Sequence, residues 1–136
     1  MTLFRNFWLF LLWLGIILYL SFTPLSGWPK VSMFQKLYLD KLVHISMYAL
    51  LSLFLLRGFF IQEQNKTSRA PIIILSILFC VLVGTGIELL QPLLTRYRQF
   101  EWMDMIANAT GTFLGYFIFL FLSKRQWLGL NNIASL

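Results

Sequence analysis

Four long apolar stretches divide the chain, and short polar segments separate them. They run over residues 5–22, 43–60, 71–91 and 105–122. An α-helix needs roughly 20 apolar residues to cross the hydrocarbon core of a bilayer, and it satisfies its own backbone hydrogen bonds in lipid. The sequence therefore predicts an all-α membrane protein, a four-transmembrane-helix bundle that forms a single domain over residues 1–136.

The segments around these stretches carry further signals. The first stretch exceeds the 7–15 apolar residues usual in a signal peptide, which favours an uncleaved span. Pro71 fits the start of the third helix, and Pro92 is expected to end it. In the first loop, Val31, Phe34 and Tyr38 would share one helix face, which predicts a short interfacial amphipathic helix.

Composition supports a membrane protein and bears on its partners. The chain is 59% hydrophobic and 12% charged, whereas soluble domains carry about 25% charged residues. The net charge is +6, but the basic residues are scattered in short loops without a recognition motif. Nucleic acid is therefore not an expected partner, and membrane lipids with anionic headgroups are.

The distribution of Lys and Arg predicts an orientation. With the N-terminus inside, six basic residues lie on the inner side and five on the outer side. Two of those five, Lys41 and Arg96, lie near other polar residues that suggest a functional role, and without them the outer count falls to three. The positive-inside rule then places both termini in the cytoplasm.

Polar residues collect at one end of three predicted spans. Four crossings bring the first and third loops to the same side of the membrane. Polar side chains at membrane depth are costly and by default mark functional sites. We therefore predict a ligand-binding site near the outer leaflet. Its residues are Asp40, Lys41, His44, Tyr48, Glu88, Gln91, Arg96, Asp104 and Asn108.

Helix spacing supports a shared location for these side chains. His44 lies about 6 Å along its helix from Asp40, and Asn108 lies about 6 Å from Asp104, at a rise of 1.5 Å per residue. After Asn108, Gly111-x-x-x-Gly115 is a small-xxx-small pattern that allows close helix packing. The pattern predicts that Asn108 is drawn toward a neighbouring helix.

Simpler roles exist for several of these residues. Asp40 and Asp104 would suit helix N-terminal caps, and His44 would suit a structural hydrogen bond. A carboxylate inside a span must be protonated, paired or open to water. Glu88 is therefore predicted to be paired or functional, with Arg96, Lys41 or His44 as its partner.

The motifs resemble those of the VanZ-like family of small bacterial membrane proteins. The segments that carry the resemblance are Asp40-Lys41-Leu42-Val43-His44, Tyr48, Glu88-Leu89-Leu90-Gln91, Arg96 and Asp104-Met105-Ile106-Ala107-Asn108-x-x-Gly111. The resemblance implies a multi-pass protein of the bacterial cell membrane. The family's founding member is associated with low-level resistance to teicoplanin, a glycopeptide antibiotic. The family has no established biochemical activity, so the resemblance implies a context without a mechanism.

The interpretation favoured by the sequence is a binding module. Its ligand would be a lipid headgroup, a lipid-linked cell-wall precursor or a glycopeptide. Lys41 and Arg96 would contact phosphate or carboxylate, and Glu88, Gln91 and Asn108 would recognise hydroxyls or amides. In this interpretation no metal and no cofactor are required.

Two alternatives stay open. The protein could be a membrane-embedded enzyme acting on an envelope lipid or its phosphate linkage, with His44 as base or nucleophile, oriented by Glu88 or Asp104. In one version of that enzyme, Asp40, His44, Glu88 and Asp104 bind a divalent metal that activates water. The other alternative is a structural protein in which the polar residues form a buried network that fixes helix register.

Overall fold

A computed structural model of the protein describes residues 2–23, 33–62, 69–96 and 99–124. Within these residues lie four α-helices and no strand: α1 spans Thr2–Phe22, α2 Met33–Gln62, α3 Arg69–Leu94 and α4 Trp102–Lys124. All four are long and apolar enough to cross a membrane. The prediction of an all-α membrane protein with four spanning helices is confirmed.

The second helix is longer than predicted at its start. α2 begins at Met33 and runs for 30 residues. Phe34 and Tyr38 therefore belong to α2 and not to a separate interfacial helix, while Val31 lies outside the described residues. The helix continues because the sequence between Met33 and Val43 contains neither Gly nor Pro to interrupt it.

The third helix passes through the proline that was expected to end it. α3 contains Pro92 and stops at Leu94. Its end is closed by Thr95, whose backbone N–H and hydroxyl both donate to the Gln91 carbonyl, at 2.8 and 2.7 Å. These two bonds satisfy an acceptor at the helix end, where intrahelical donors are missing.

α2 is the central helix of the bundle. More than half of its spanning window is buried (56%), against 17% for α1, 28% for α3 and 33% for α4. It packs against all three other helices. One tie to α1 is the hydrogen bond that Trp13 donates from Nε1 to the Met47 carbonyl, at 2.9 Å. An edge-to-face contact joins Phe60 to Phe119 of α4, with centroids 4.8 Å apart.

The closest packing in the bundle joins α2 and α4. A Cβ added at Gly111 would meet the backbone of Ile45, and one added at Gly115 would meet the backbone of Ala49. Backbones approach this closely only where one helix lacks side chains. The prediction that this glycine pattern draws Asn108 toward a neighbouring helix is confirmed, since Asn108 contacts His44 of α2.

We expect the glycine contact to be sensitive to a single methyl group. Gly115→Ala should lower the free energy of unfolding by about 1–3 kcal/mol, the usual cost of overpacking. Gly86→Ala is the matched control, because a Cβ there meets nothing within 4 Å. It should leave stability unchanged or raise it by about 0.5–1 kcal/mol, the helical preference of Ala over Gly. Unfolding of both variants in detergent micelles measures the difference, and equal stabilities would contradict the close contact.

Candidate functional site

Three helices bring charged and amide side chains together at one end of the bundle. We call this group the polar cluster. α2 contributes Asp40, Lys41 and His44, α3 contributes Glu88, and α4 with the residue before it contributes Glu101, Asp104 and Asn108. Each member has a polar atom within 4.0 Å of a polar atom of another member. Glu101 was absent from the predicted site.

The length of α2 places the cluster relative to the bilayer. At 1.5 Å per residue, Asp40 lies about 33 Å along the axis from the far end of α2 at Gln62, and His44 about 27 Å. The hydrocarbon core is about 30 Å thick. With Gln62 taken as the opposite boundary of the apolar layer, these lengths place Asp40 at the interface and His44 about one turn inside.

Lys41 is surrounded by carboxylates. Its ammonium donates to Glu101 Oε2 at 2.9 Å, to Asp40 Oδ2 at 3.3 Å, and most closely to Asp104 Oδ1. An ammonium whose donors already face three carboxylates is a poor contact for a further anion. The phosphate-binding role that the sequence suggested for Lys41 does not fit this geometry.

His44 lies at the centre of the cluster. Its Nδ1 is 2.9 Å from Asn108 Oδ1 and 3.8 Å from Glu88 Oε1. Because an amide oxygen can only accept, His44 Nδ1 is the donor of that hydrogen bond. Its other nitrogen, Nε2, is 4.0 Å from Asp40 Oδ1 and 3.9 Å from Asp104 Oδ2. Of the partners predicted for Glu88, the structure thus brings His44 beside it.

Exposure falls steadily across the cluster. The exposed fraction of the side chain is 50% for Glu101, 35% for Asp40 and 18% for Lys41. It is 9% for His44, 6% for Asp104 and 0% for Glu88. The cluster therefore has an open edge, formed by Glu101 and Asp40, and a buried floor.

The two aspartates differ in their relation to the helix ends. Asp104 lies in the first turn of α4, where the positive end of the helix dipole favours a carboxylate. Asp40 lies well inside α2, which begins at Met33, so the prediction that Asp40 caps the N-terminus of a helix is wrong.

Three side chains of the cluster have the geometry of metal ligands. Asp40, His44 and Asp104 present oxygen and nitrogen atoms within 4.8 Å of one another, an arrangement that could hold a metal ion.

The remaining predicted residues have different surroundings. Gln91 is buried and donates from Nε2 to the Ser21 carbonyl of α1, at 3.2 Å, so it ties two helices together. Tyr48 is buried with its ring close to Gly84, and its hydroxyl bonds no other described residue. Arg96 is exposed beyond the end of α3 and forms no ion pair within the described ranges.

Sequence reasoning missed Glu101 as a member of the polar cluster. Glu101 precedes Asp104 by three residues, the spacing of neighbours on one helix face, and that spacing could have identified it.

The two acidic contacts of Lys41 on the α4 side should differ in their contribution to stability. Asp104 is buried, so Asp104→Asn should lower the free energy of unfolding by about 1–3 kcal/mol, as expected when a charged group loses a buried partner. Glu101→Gln removes the same charge from a half-exposed pair and should cost less than about 1 kcal/mol. Denaturation of both variants in the same detergent gives the comparison. A larger effect at Glu101 would contradict this view of the cluster.

Comparisons with known proteins agree with the motifs. The family model for VanZ/LLP1 matches residues 1–123. An uncharacterized protein of Schizosaccharomyces pombe is 31% identical over 119 residues, which is 87% of this chain and 64% of that protein. The chain thus spans slightly less than two thirds of the length of this relative. No solved structure matches the chain.

Proposed function

Since the chain belongs to the VanZ/LLP1 family and is a multi-pass membrane protein, we propose that its polar cluster binds the headgroup of an amphiphilic molecule at the extracytoplasmic side of the membrane. The candidate ligands are a lipid, a lipid-linked cell-wall precursor and a lipophilic glycopeptide. The fall in side-chain exposure from 50% at Glu101 to 0% at Glu88 carries this proposal. A site with an open edge and a buried, hydrogen-bonding floor suits a headgroup.

A binding site differs from a purely structural network in having polar atoms that a molecule outside the protein can reach. Here Asp40 and Glu101 keep 35% and 50% of their side chains exposed. Lys41 bonds only the Oε2 atom of Glu101, so the other oxygen of this half-exposed carboxylate can accept a hydrogen bond from a headgroup hydroxyl or amine.

An anionic part of the ligand would be held by Arg96. The Lys41 ammonium already faces three carboxylates, whereas Arg96 is exposed and free of ion pairs within the described ranges. Its planar guanidinium offers two parallel donors to phosphate or carboxylate. The acyl part would lie against exposed apolar residues at the same end of the bundle, Leu93, Leu94, Trp102 and Met103.

Reduced susceptibility to glycopeptides is one consequence of such binding. The ligand could be the antibiotic or the lipid-linked precursor that the antibiotic recognises. In either case, binding to the site would leave less of that molecule available, so less antibiotic–precursor complex would form. The resemblance to a family whose founding member is associated with teicoplanin resistance supports this role.

The proposal places the cluster on the outer face and both termini in the cytoplasm, in line with the Lys and Arg count. We expect Gln99→Cys, in the loop beside the cluster, to react with a membrane-impermeant maleimide in intact cells. Arg5→Cys should react only after permeabilisation. Both are made in a Cys80→Ser background, because Cys80 is the single native cysteine and is fully buried. The reverse pattern of labelling would show the opposite orientation.

Arg96→Gln should weaken binding of an anionic amphiphile by about tenfold, the equivalent of roughly 1.4 kcal/mol and within the range of a charge-assisted hydrogen bond. The probes are phosphatidylglycerol and teicoplanin, titrated against purified protein in phosphatidylcholine nanodiscs. Arg5→Gln is the matched control, an exposed arginine at the opposite end of the bundle. Equal losses in both variants would indicate general electrostatics and contradict a site at Arg96.

His44→Gln in the same titration separates binding from catalysis. His44 lies 3.8 Å from Glu88 and 3.9 Å from Asp104, close to carboxylates that would orient it as a general base. A binding protein should lose affinity in this variant and release no product from phosphatidylglycerol in mass spectra. An enzyme should show product with the wild type and keep its affinity, but not its turnover, in the variant.

A further inference from the structure

Two aspartates divide their oxygens between Lys41 and His44. Asp104 directs Oδ1 to the Lys41 ammonium and Oδ2 toward His44 Nε2, 3.9 Å away. Asp40 directs Oδ2 to the same ammonium at 3.3 Å and Oδ1 toward the same His44 nitrogen at 4.0 Å. Lys41 thus holds one oxygen of each carboxylate, and the second oxygens both face the imidazole.

The imidazole is oriented from its other side. His44 Nδ1 donates to Asn108 Oδ1 at 2.9 Å, so the neutral ring carries its lone pair on Nε2. The side chain is more than nine-tenths buried, with 9% exposed. Nε2 hydrogen-bonds no other described residue, since the two carboxylate oxygens facing it lie 3.9 and 4.0 Å away, beyond hydrogen-bond reach. In this neutral form of the ring, Nε2 and the two carboxylate oxygens are three electron-pair donors that face one another.

A ligand histidine in a metal site has this pattern. It usually donates its second ring N–H to a neighbouring oxygen, which fixes the tautomer and the ring orientation. The ligating carboxylates are usually hydrogen-bonded in turn. In this protein Asn108 takes the first role and Lys41 takes the second. A cation placed between His44 Nε2, Asp40 Oδ1 and Asp104 Oδ2 would complete this pattern.

Formal charge is consistent with a divalent ion. Around Lys41, the carboxylates of Asp40, Glu101 and Asp104 share one ammonium, which leaves two negative charges uncompensated when His44 is neutral. A divalent cation between the two aspartates would balance them. Glu101, 2.9 Å from Lys41, would remain the counter-ion of the ammonium.

The donor set selects the class of ion. One imidazole and two carboxylates suit Zn²⁺ or Mn²⁺, whereas Ca²⁺ and Mg²⁺ prefer oxygen ligands alone. Zinc bonds to such ligands measure about 2.0–2.2 Å, so tetrahedral neighbours are about 3.3–3.6 Å apart. The three candidate ligand atoms lie within 4.8 Å of one another, so rotation of the side chains about their bonds would have to bring them closer together around an ion.

We propose that Asp40, His44 and Asp104 bind a divalent transition-metal ion, with Asn108 and Lys41 as positioning residues. Three protein ligands leave a coordination position open, as in catalytic zinc sites. There the ion adds a positive centre that a phosphate or carboxylate oxygen of the ligand can reach. This use of the ion rests on the proposed headgroup binding, whereas binding of the ion itself does not.

The test is Zn²⁺ titration of the purified full chain, first stripped with a chelator, by calorimetry in detergent without added lipid. The wild type should bind about one Zn²⁺ per chain, and Mg²⁺ much more weakly. Asp40→Asn and His44→Gln should reduce Zn²⁺ affinity on the order of 100-fold or more, and Asn108→Ala by about 10–100-fold, as for positioning partners of metal ligands. Failure of the wild type to bind Zn²⁺, or Mg²⁺ binding equally tightly, would overturn the assignment.

Glu101→Gln is the matched control. It removes one carboxylate charge, as Asp40→Asn does, but no proposed ligand, so its loss of affinity should be at least about tenfold smaller. Equal losses in the two variants would mean diffuse electrostatic attraction and overturn the site. The Asp40 side chain is 35% exposed, so we expect the Asp40→Asn variant to fold. If a variant at a buried position such as His44→Gln fails to fold, Asp40→Asn alone tests the metal site. Zn²⁺ binding without headgroup binding in nanodiscs would reject only the proposed function. Headgroup binding without Zn²⁺ binding would reject only the metal site.

Discussion

The backbone-to-backbone contact between α2 and α4 is the constraint on which the site depends. Gly111 rests on Ile45 and Gly115 on Ala49, and the same two helices supply the Lys41–Asp104 and His44–Asn108 contacts. From the Lys41–Asp104 contact to the Ala49–Gly115 contact, the sequence separation between partners stays within 63–66 residues. A nearly constant offset means that α2 and α4 run parallel and in fixed register. The glycines therefore set the distance at which the ionised side chains meet.

The membrane explains why those side chains are worth holding together. Two ions apart in an apolar layer each carry a large desolvation cost, and their attraction offsets it only in good geometry. Partial exposure of the cluster reduces that cost, because Asp40, Lys41 and Glu101 are not fully withdrawn from the surroundings of the protein. His44, Asp104 and Glu88 lie deeper and depend on protein neighbours. The more deeply a residue of the cluster is buried, the more its stability therefore depends on hydrogen bonds and ion pairs with other protein residues.

Much of this arrangement could be predicted from the chain alone. The lengths of the apolar stretches predicted four spanning helices. Because four crossings bring the first and third loops to the same side of the membrane, Asp40, Glu88 and Asp104 were expected at the same end of the bundle. Gly111-x-x-x-Gly115 indicated a close helix contact, which the structure places against α2. Helix ends were less predictable. Nothing between Met33 and Val43 stops a helix, and Pro92 removes one donor without ending α3. Spans defined by hydropathy cannot report either effect.

The partners of individual ions were beyond the sequence. The sequence suggested that Lys41 contacts a phosphate or carboxylate of a ligand, but three carboxylates of the protein itself reach its ammonium. Glu101 was not among the predicted site residues, yet it lies just before α4 and accepts a hydrogen bond from Lys41 of α2. Gln91 looked like part of the site, yet its side chain binds the α1 backbone. Each depends on rotations of helices about their axes, which a single sequence specifies only loosely.

The glycine contact also limits how the proposed ligand could approach the cluster. Because the α2 and α4 backbones touch directly at Gly111 and Gly115, a molecule cannot pass between these two helices at that depth. The partly exposed side chains of Glu101 and Asp40 form the open edge of the cluster, so a headgroup bound as proposed would meet them first.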